Sequence, residues 1–116
     1  MPTVLLVDDD PTLLSALHTI LRQAGFSIDI AIDGAVALNA VHAKVPDVIV
    51  SDNMMPVMSG IELWRTLATH PVYSRIPFLL LSAMDSFPSD VHPTAFLRKP
   101  YSPAKLLALI EGWTGP

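Results

Sequence analysis

Five polar residues stand out because each closes a short apolar run. Asp8 and Asp9 end Val4-Leu5-Leu6-Val7, Asp52 ends Val48-Ile49-Val50-Ser51, Ser82 ends Phe78-Leu79-Leu80-Leu81, and Lys99 follows Ala95-Phe96-Leu97 by two positions. Runs of this kind read as strands buried on both faces, as in a parallel sheet. The C-terminal ends of parallel strands share one edge, and ligands bind in the crevice beside it. Three carboxylates gathered there repel one another unless a cation neutralises them. A hard divalent cation suits such ligands: Mg2+ keeps several waters, needs one or two carboxylates and accepts substrate phosphate oxygens as well. A carboxylate beside that cation can attack phosphorus and form an acyl phosphate, with the metal and a lysine stabilising charge on the transferring oxygens. Ser82 is then placed to donate a hydrogen bond to the bound phosphoryl group.

Each residue also has an ordinary reading. Asp10 reads as a helix cap and Asp33 as a turn residue; acids after a strand are often only solvated loop ends. What favours chemistry is the convergence of Asp8, Asp9 and Asp52 with Ser82 and Lys99. His18, His42, His70 and His92 are scattered without ligand spacing and read as surface groups. Met54, Met55 and Met58 read as packing residues.

The elements that must position these side chains alternate in type. After the first strand, Asp10 and Pro11 open a helix whose apolar stripe runs through Leu13, Leu14, Leu17, Ile20, Leu21 and Ala24 to Gly25. Phe26, Ile28, Ile30 and Ile32 alternate as a second strand, and Ala35 to Ala43 reads as a second helix. Ser59 and Glu62 form a capping box before a third helix, and Ser102-Pro103 opens a last one. Strand–helix alternation implies βαβ units and a doubly wound α/β fold with helices on both faces of a parallel sheet. Between Ser82 and Ala95 the beat is missed: Pro88 and Pro93 stand where a fourth helix belongs, and each costs a helix interior about 3 kcal/mol. The spacing predicts a loop or a single distorted turn there.

Composition sets the outer bounds. The 116 residues suit one domain spanning 1–116. No apolar run approaches the roughly 18 residues of a membrane span, and Met1-Pro2-Thr3 lacks the basic start of a secretory signal. A cytoplasmic location is the expectation. The absence of cysteine removes thiolate metal sites and disulfides, and a net charge of −4 with pI near 5.3 argues against direct nucleic-acid binding.

Leu5-Leu6-Val7-Asp8-Asp9-Asp10-Pro11, Pro46-Asp47-Val48-Ile49-Val50-Ser51-Asp52-Asn53-Met54-Met55-Pro56 with Gly60, Leu81-Ser82-Ala83 and Lys99-Pro100 occur in this order. Together they resemble the receiver domains of two-component response regulators, chemotaxis regulators included, over almost the whole chain. The resemblance implies a five-stranded flavodoxin-like sheet of strand order 2-1-3-4-5. It makes Asp52 the phosphoacceptor, and Asp8, Asp9, Asp52 and the Met54 backbone carbonyl the protein ligands of Mg2+. Lys99 then contacts the phosphoryl group, Ser82 and Phe96 form the switch pair, and Lys99-Pro100 is a cis peptide. The partners it implies are a sensor histidine kinase or a histidine phosphotransfer protein, and an effector that is fused or separate. Such a chain is a signalling domain that catalyses its own phosphorylation and dephosphorylation rather than an enzyme acting on other substrates.

Two departures stand against the family pattern. The stretch from Ser82 to Lys99 is several residues short, so a homodimer through the usual fourth-helix face is expected to be lost or remodelled. Met54 and Met84 lie two residues past Asp52 and Ser82, flanking the path of a hydrolytic water, and apolar groups there predict a long-lived phosphoaspartate. Rival readings are a haloacid-dehalogenase-like phosphatase, a pseudo-receiver that is never phosphorylated, and a Rossmann-type nucleotide site. The first places a nucleophile at Asp8 and a second acid at Asp10, but it needs an acidic pair after the lysine where only Glu111 occurs. The last lacks a glycine-rich loop after the first strand.

Overall fold

In the computed structural model, which describes residues 1–115, strands and helices alternate until the fourth strand. The order is β1 Thr3–Val7, α1 Pro11–Gln23, β2 Ser27–Ala31, α2 Gly34–Ala43, β3 Val48–Asp52, α3 Gly60–Ala68, a 3-10 turn at Tyr73–Arg75, β4 Phe78–Ser82, β5 Ala95–Arg98 and α4 Pro103–Thr114. All neighbouring strands pair in parallel, in the order β2-β1-β3-β4-β5. β1, β3 and β4 are buried along their whole length.

Side chains of a strand alternate between faces, so one continuous apolar run feeds two cores. Val4, Leu6, Val50, Leu79 and Leu81 pack against Leu14, Leu17 and Leu21 of α1 and Leu106 and Ile110 of α4. Leu5, Val7, Ile49 and Leu80 pack on the other side against Ala37 and Val41 of α2 and Ile61, Leu63 and Leu67 of α3. Helices therefore cover both faces, as the alternation requires.

The helix starts follow local chemistry. The Asp10 carboxylate accepts from the Thr12 and Leu13 N–H groups at 2.9 and 3.4 Å, with Pro11 in the first turn where a missing N–H costs nothing. Ser59 and Glu62 make the reciprocal capping box of α3, and Ser102 caps α4. Asp33, expected as a turn residue, is instead the buried N-cap of α2, accepting from Val36 N–H at 2.9 Å. β2 also departs from the alternation reading. Phe26 is buried, but Ile30 and Ile32 are 46% and 59% exposed while Ala31 is buried. β2 is the edge strand: Ala31 faces the α2–α3 core, whereas Ile30 lies on the opposite face, beyond Ile28 and outside the α1–α4 core, and Ile32 follows the end of the strand.

Residues 83–94 contain no helix. The segment is held by particular contacts instead: Val91 is fully buried, Phe87 meets Phe96 edge-on at 5.2 Å, and Thr94 Oγ1 accepts from Phe78 N–H at 2.9 Å. Arg65 donates twice to Asp90, at 2.8 and 3.0 Å, and Arg98 pairs with Asp85 at 2.8 Å. Both ion pairs are solvent-exposed and so guide the path more than they stabilise it. Among the described residues no helix is long and apolar enough to cross a membrane.

Candidate functional site

Two strand ends bring the acids together. Asp52 is the last residue of β3 and is buried; Asp8 follows β1, is 4% exposed, and is anchored by its N–H donating to the Ala31 carbonyl at 3.1 Å. Asp9 is exposed at the rim. One carboxylate oxygen from each of Asp8, Asp9 and Asp52 lies within 4.8 Å of the others. Lys99 arrives from beyond β5: its backbone N–H donates to the Ser82 carbonyl at 2.9 Å, its peptide to Pro100 is cis, and its Nζ reaches Asp52 Oδ1 at 2.6 Å. Ser82 ends β4, buried, and its Oγ accepts from the Met84 N–H at 3.1 Å. All five residues singled out from the sequence thus share one edge.

Burial pushes the Asp8 carboxyl up to about 6; the Asp10 N–H on its Oδ1 opposes this, Asp52 adds to it, Lys99 opposes it and Asp9 adds to it. Asp8 Oδ2 is buried without a protein hydrogen-bond partner. An orphaned carboxylate oxygen beside two more carboxylates, in a cluster that includes no histidine or cysteine, is the donor set a hard divalent cation takes, so the residues fit Mg2+.

Several residues fall elsewhere or were not foreseen. Met54, read as a packing residue, is 74% exposed, whereas Met55 and Met58 pack against the α2–α3 core. Phe96 is half-buried against Phe87. Of the histidines read as surface groups, His18 and His70 are half-buried; His70 stacks on Tyr73 at 3.8 Å and its Nδ1 accepts from the Val72 and Tyr73 N–H groups. Asn53 was not singled out, yet it is buried and clamps the start of α3 to the end of β3. Its carbonyl accepts from Gly60 N–H at 3.0 Å and its Oδ1 from Ile61 N–H at 3.1 Å. Gly60 supplies the space for that clamp, because a Cβ there would overlap the Asp52 carbonyl oxygen. Tyr101 was also missed; its half-buried ring packs on the α1–α4 core, and its hydroxyl is buried with no protein partner. Burial, then the Asp8 and Asp52 charges, push its phenol up to about 12. Glu111, the one acid after Lys99, sits with Pro2 and Ala24 at the opposite end of the sheet, so it cannot supply the acidic pair that the dehalogenase-like reading requires.

A doubly wound parallel sheet with an acidic pocket, a lysine and a hydroxyl at its C-terminal edge defines a class of small α/β signalling modules. Residues 4–111 match the family described as "Response regulator receiver domain", and the chain belongs to that family. It is 33% identical to the DNA-binding response regulator MtrA of Mycolicibacterium smegmatis, over 93% of this chain and 48% of that one. It is 36% identical to the transcriptional regulatory protein PrrA of Mycobacterium tuberculosis, over 95% and 48%. The chain spans about half the length of these curated relatives. Among solved structures, the chemotaxis response regulator CheY4 of Vibrio cholerae superimposes with a TM-score of 0.86 at 33% identity, covering 97% of this chain and 98% of that one. The receiver domain of the sensor histidine kinase PA1611 of Pseudomonas aeruginosa, described with a magnesium ion coordinated in its active-site cleft, gives 0.87 at 25% identity over 99% and 98%.

Proposed function

We propose that this receiver, with residues 1–116 forming one domain, accepts a phosphoryl group on Asp52 from a phosphohistidine of a sensor histidine kinase or histidine phosphotransfer protein, and that it works in the cytoplasm. The observation that carries this reading is the pairing of Asp52 with Lys99 at 2.6 Å inside a cluster completed by Asp8 and Asp9. Lys99 holds Oδ1, which leaves Oδ2 of Asp52 as the attacking atom. The new O–P bond forms as the donor's N–P bond breaks and its electron pair returns to the imidazole. The Lys99 ammonium is then free to follow charge onto the transferred oxygens. Asp8, Asp9, Asp52 and the Met54 carbonyl are the protein ligands assigned to Mg2+, which when bound neutralises charge on the phosphoryl oxygens.

Ser82 and Phe96 are assigned as the switch. The Ser82 hydroxyl, now accepting from Met84 N–H, turns to donate to the phosphoryl group, and Phe96 moves into the space it leaves, away from Phe87. Because residues 83–94 form a strap in place of a helix, the message passes through Phe87 and the strap to a fused or separate effector. A homodimer, where one forms, uses another face.

Incubation with acetyl phosphate and Mg2+ tests the reading by mass spectrometry. A gain of one phosphoryl group is expected in the wild type and in Asp8→Asn at a reduced rate, and none in Asp52→Asn. Phosphorylation that survives Asp52→Asn but not Asp8→Asn would favour the phosphatase-like chemistry, and no gain in any chain would favour the pseudo-receiver.

A further inference from the structure

The corner between β2 and α2 touches both halves of the acidic cluster. At its start the Ala31 carbonyl accepts from the Asp8 N–H at 3.1 Å; at its end the Gly34 N–H donates to the Met58 carbonyl at 3.0 Å. Met58 belongs to the loop between β3 and α3, which also carries the Met54 carbonyl. Gly34 opens α2 and its φ lies outside the left-handed region, so the backbone does not demand glycine there. Space does: a Cβ would lie 2.7 Å from the Met58 carbonyl oxygen and 2.7 Å from Met58 Cγ. The first N–H of a helix has no partner within the helix, and this one is served by a loop distant in sequence. That loop is itself strained. The Met58 N–H donates to the Pro56 carbonyl at 2.7 Å across Val57, whose φ of +68 makes this the rare form of γ-turn. Such a turn persists only where its surroundings over-determine it. The Gly60 N–H on the Asn53 carbonyl closes the base of the loop, and Gly34 holds Met58 from outside.

We infer that Gly34 is a positioning residue for the cation site: its N–H on the Met58 carbonyl braces the loop that carries the Met54 carbonyl against the same corner that anchors Asp8. The spacing between the two sets of ligands is then fixed by four residues, Ala31 to Gly34, rather than by the loop alone. A side chain at position 34 meets a backbone oxygen, so it displaces the loop and not only the Met58 rotamer. Loss of the contacts that hold metal ligands in place typically costs at least about tenfold in affinity. The inference rests on the Mg2+-dependent reading above, and its test separates the two.

Mg2+ is titrated without phosphodonor into the wild type, Gly34→Ala and Val41→Ala, and the Asp8 and Asp9 amide resonances are followed by NMR. Val41→Ala is the control for packing, since Val41 is fully buried in the same helix and the same core. Both variants are expected to unfold at lower urea than the wild type in EDTA. Only Gly34→Ala is expected to bind Mg2+ about tenfold more weakly. Wild-type affinity in Gly34→Ala overturns the role of Gly34, and so does an equal weakening in Val41→Ala, which would mean general loosening of the fold. A wild type whose Asp8 and Asp9 amides do not respond to Mg2+ overturns the cation reading itself. Should Gly34→Ala fail to fold, hydrogen exchange in the wild type decides the matter. Coupling is reciprocal, so saturating Mg2+ should slow exchange of the Gly34 amide at least about fivefold more than that of the Lys44 amide, which is bonded to the Ala40 carbonyl at the far end of α2. Equal slowing at the two ends overturns the inference.

Discussion

Gly60 offers the sharpest test of how tightly the site is built. A Cβ at this position would overlap the Asp52 carbonyl oxygen and lie 3.1 Å from both Asn53 Cα and the Asp52 carbonyl carbon. All three are backbone atoms, so no side-chain rotation relieves the clash. Gly60→Ala must push α3 away from β3, at an overpacking cost near the upper end of about 1–3 kcal/mol. The same displacement stretches the Gly60 N–H to Asn53 carbonyl bond of 3.0 Å and the Ile61 N–H to Asn53 Oδ1 bond of 3.1 Å. Losing one of them adds about 1 kcal/mol. Alanine's better helix propensity returns up to about 1 kcal/mol. The expected net loss is about 3 kcal/mol, a large share of the stability of a domain this size. Because Asp52 itself is displaced, phosphorylation by acetyl phosphate should slow by about a hundredfold, the scale of a misplacement near 1 Å. Gly112→Ala is the control: nothing lies within 4 Å of a Cβ there, inside α4, so the same substitution should stabilise by about 0.5–1 kcal/mol. Urea denaturation of the three chains and the initial phosphorylation rate supply the numbers. A Gly60→Ala chain within about 0.5 kcal/mol of the wild type, phosphorylated at an unchanged rate, would refute the packing argument.

Three further outcomes follow from particular residues. Asp8 has its folded pKa raised from 3.8 to about 6, so the folded chain without Mg2+ holds this proton more tightly than the unfolded chain does. Its contribution to stability is full below about pH 4 and is lost as pH rises through 6. At about 1.4 kcal/mol per pH unit, Asp8→Asn should exceed the wild type in stability by up to about 3 kcal/mol at pH 7 in EDTA, with the gap closing towards pH 4; a gap independent of pH contradicts this. Val57 sits at φ +68 and is 82% exposed, a left-handed conformation that a β-branched side chain resists. Val57→Gly should therefore raise stability by about 1 kcal/mol in thermal denaturation, and a loss would show that the strain is not there. Met54 and Met84 present thioethers two residues beyond Asp52 and Ser82, and Met84 is packed against the α2–α3 core. Loss of phosphate, followed by mass, should be slow in the wild type and several-fold faster in Met54→Asn or Met84→Glu. Fast loss that neither substitution changes removes this account.

Much of the fold is local and so was legible. Each strand that carries site chemistry is an apolar run cut off by a polar residue, and each helix start carries its own cap: Asp10, Ser59 with Glu62, and Ser102. Pro88 and Pro93 likewise exclude a helix by covalent geometry alone. Reading failed where the answer lies in neighbours distant in the chain. Ile30 and Ile32 alternate as a buried strand face would, but β2 is an edge and leaves them exposed. Asp33 looks like any Asp-Gly turn until α2 forms beyond it.

The chemistry divides along the same line. Residue type and order determined which groups gather, because parallel strands with right-handed crossovers deliver their C-terminal ends to one edge. Asp8, Asp9, Asp52, Ser82 and Lys99 were therefore readable as a set. Only the tertiary structure decided which of them touch: that Lys99 pairs with Asp52 while Asp8 Oδ2 and the Tyr101 hydroxyl are left without protein partners. It alone decided that Asn53 and Gly60 lock α3 onto the end of β3. Such facts depend on distances of a few tenths of an ångström between segments up to about ninety positions apart, set by how two cores pack on one sheet, and no local pattern encodes them.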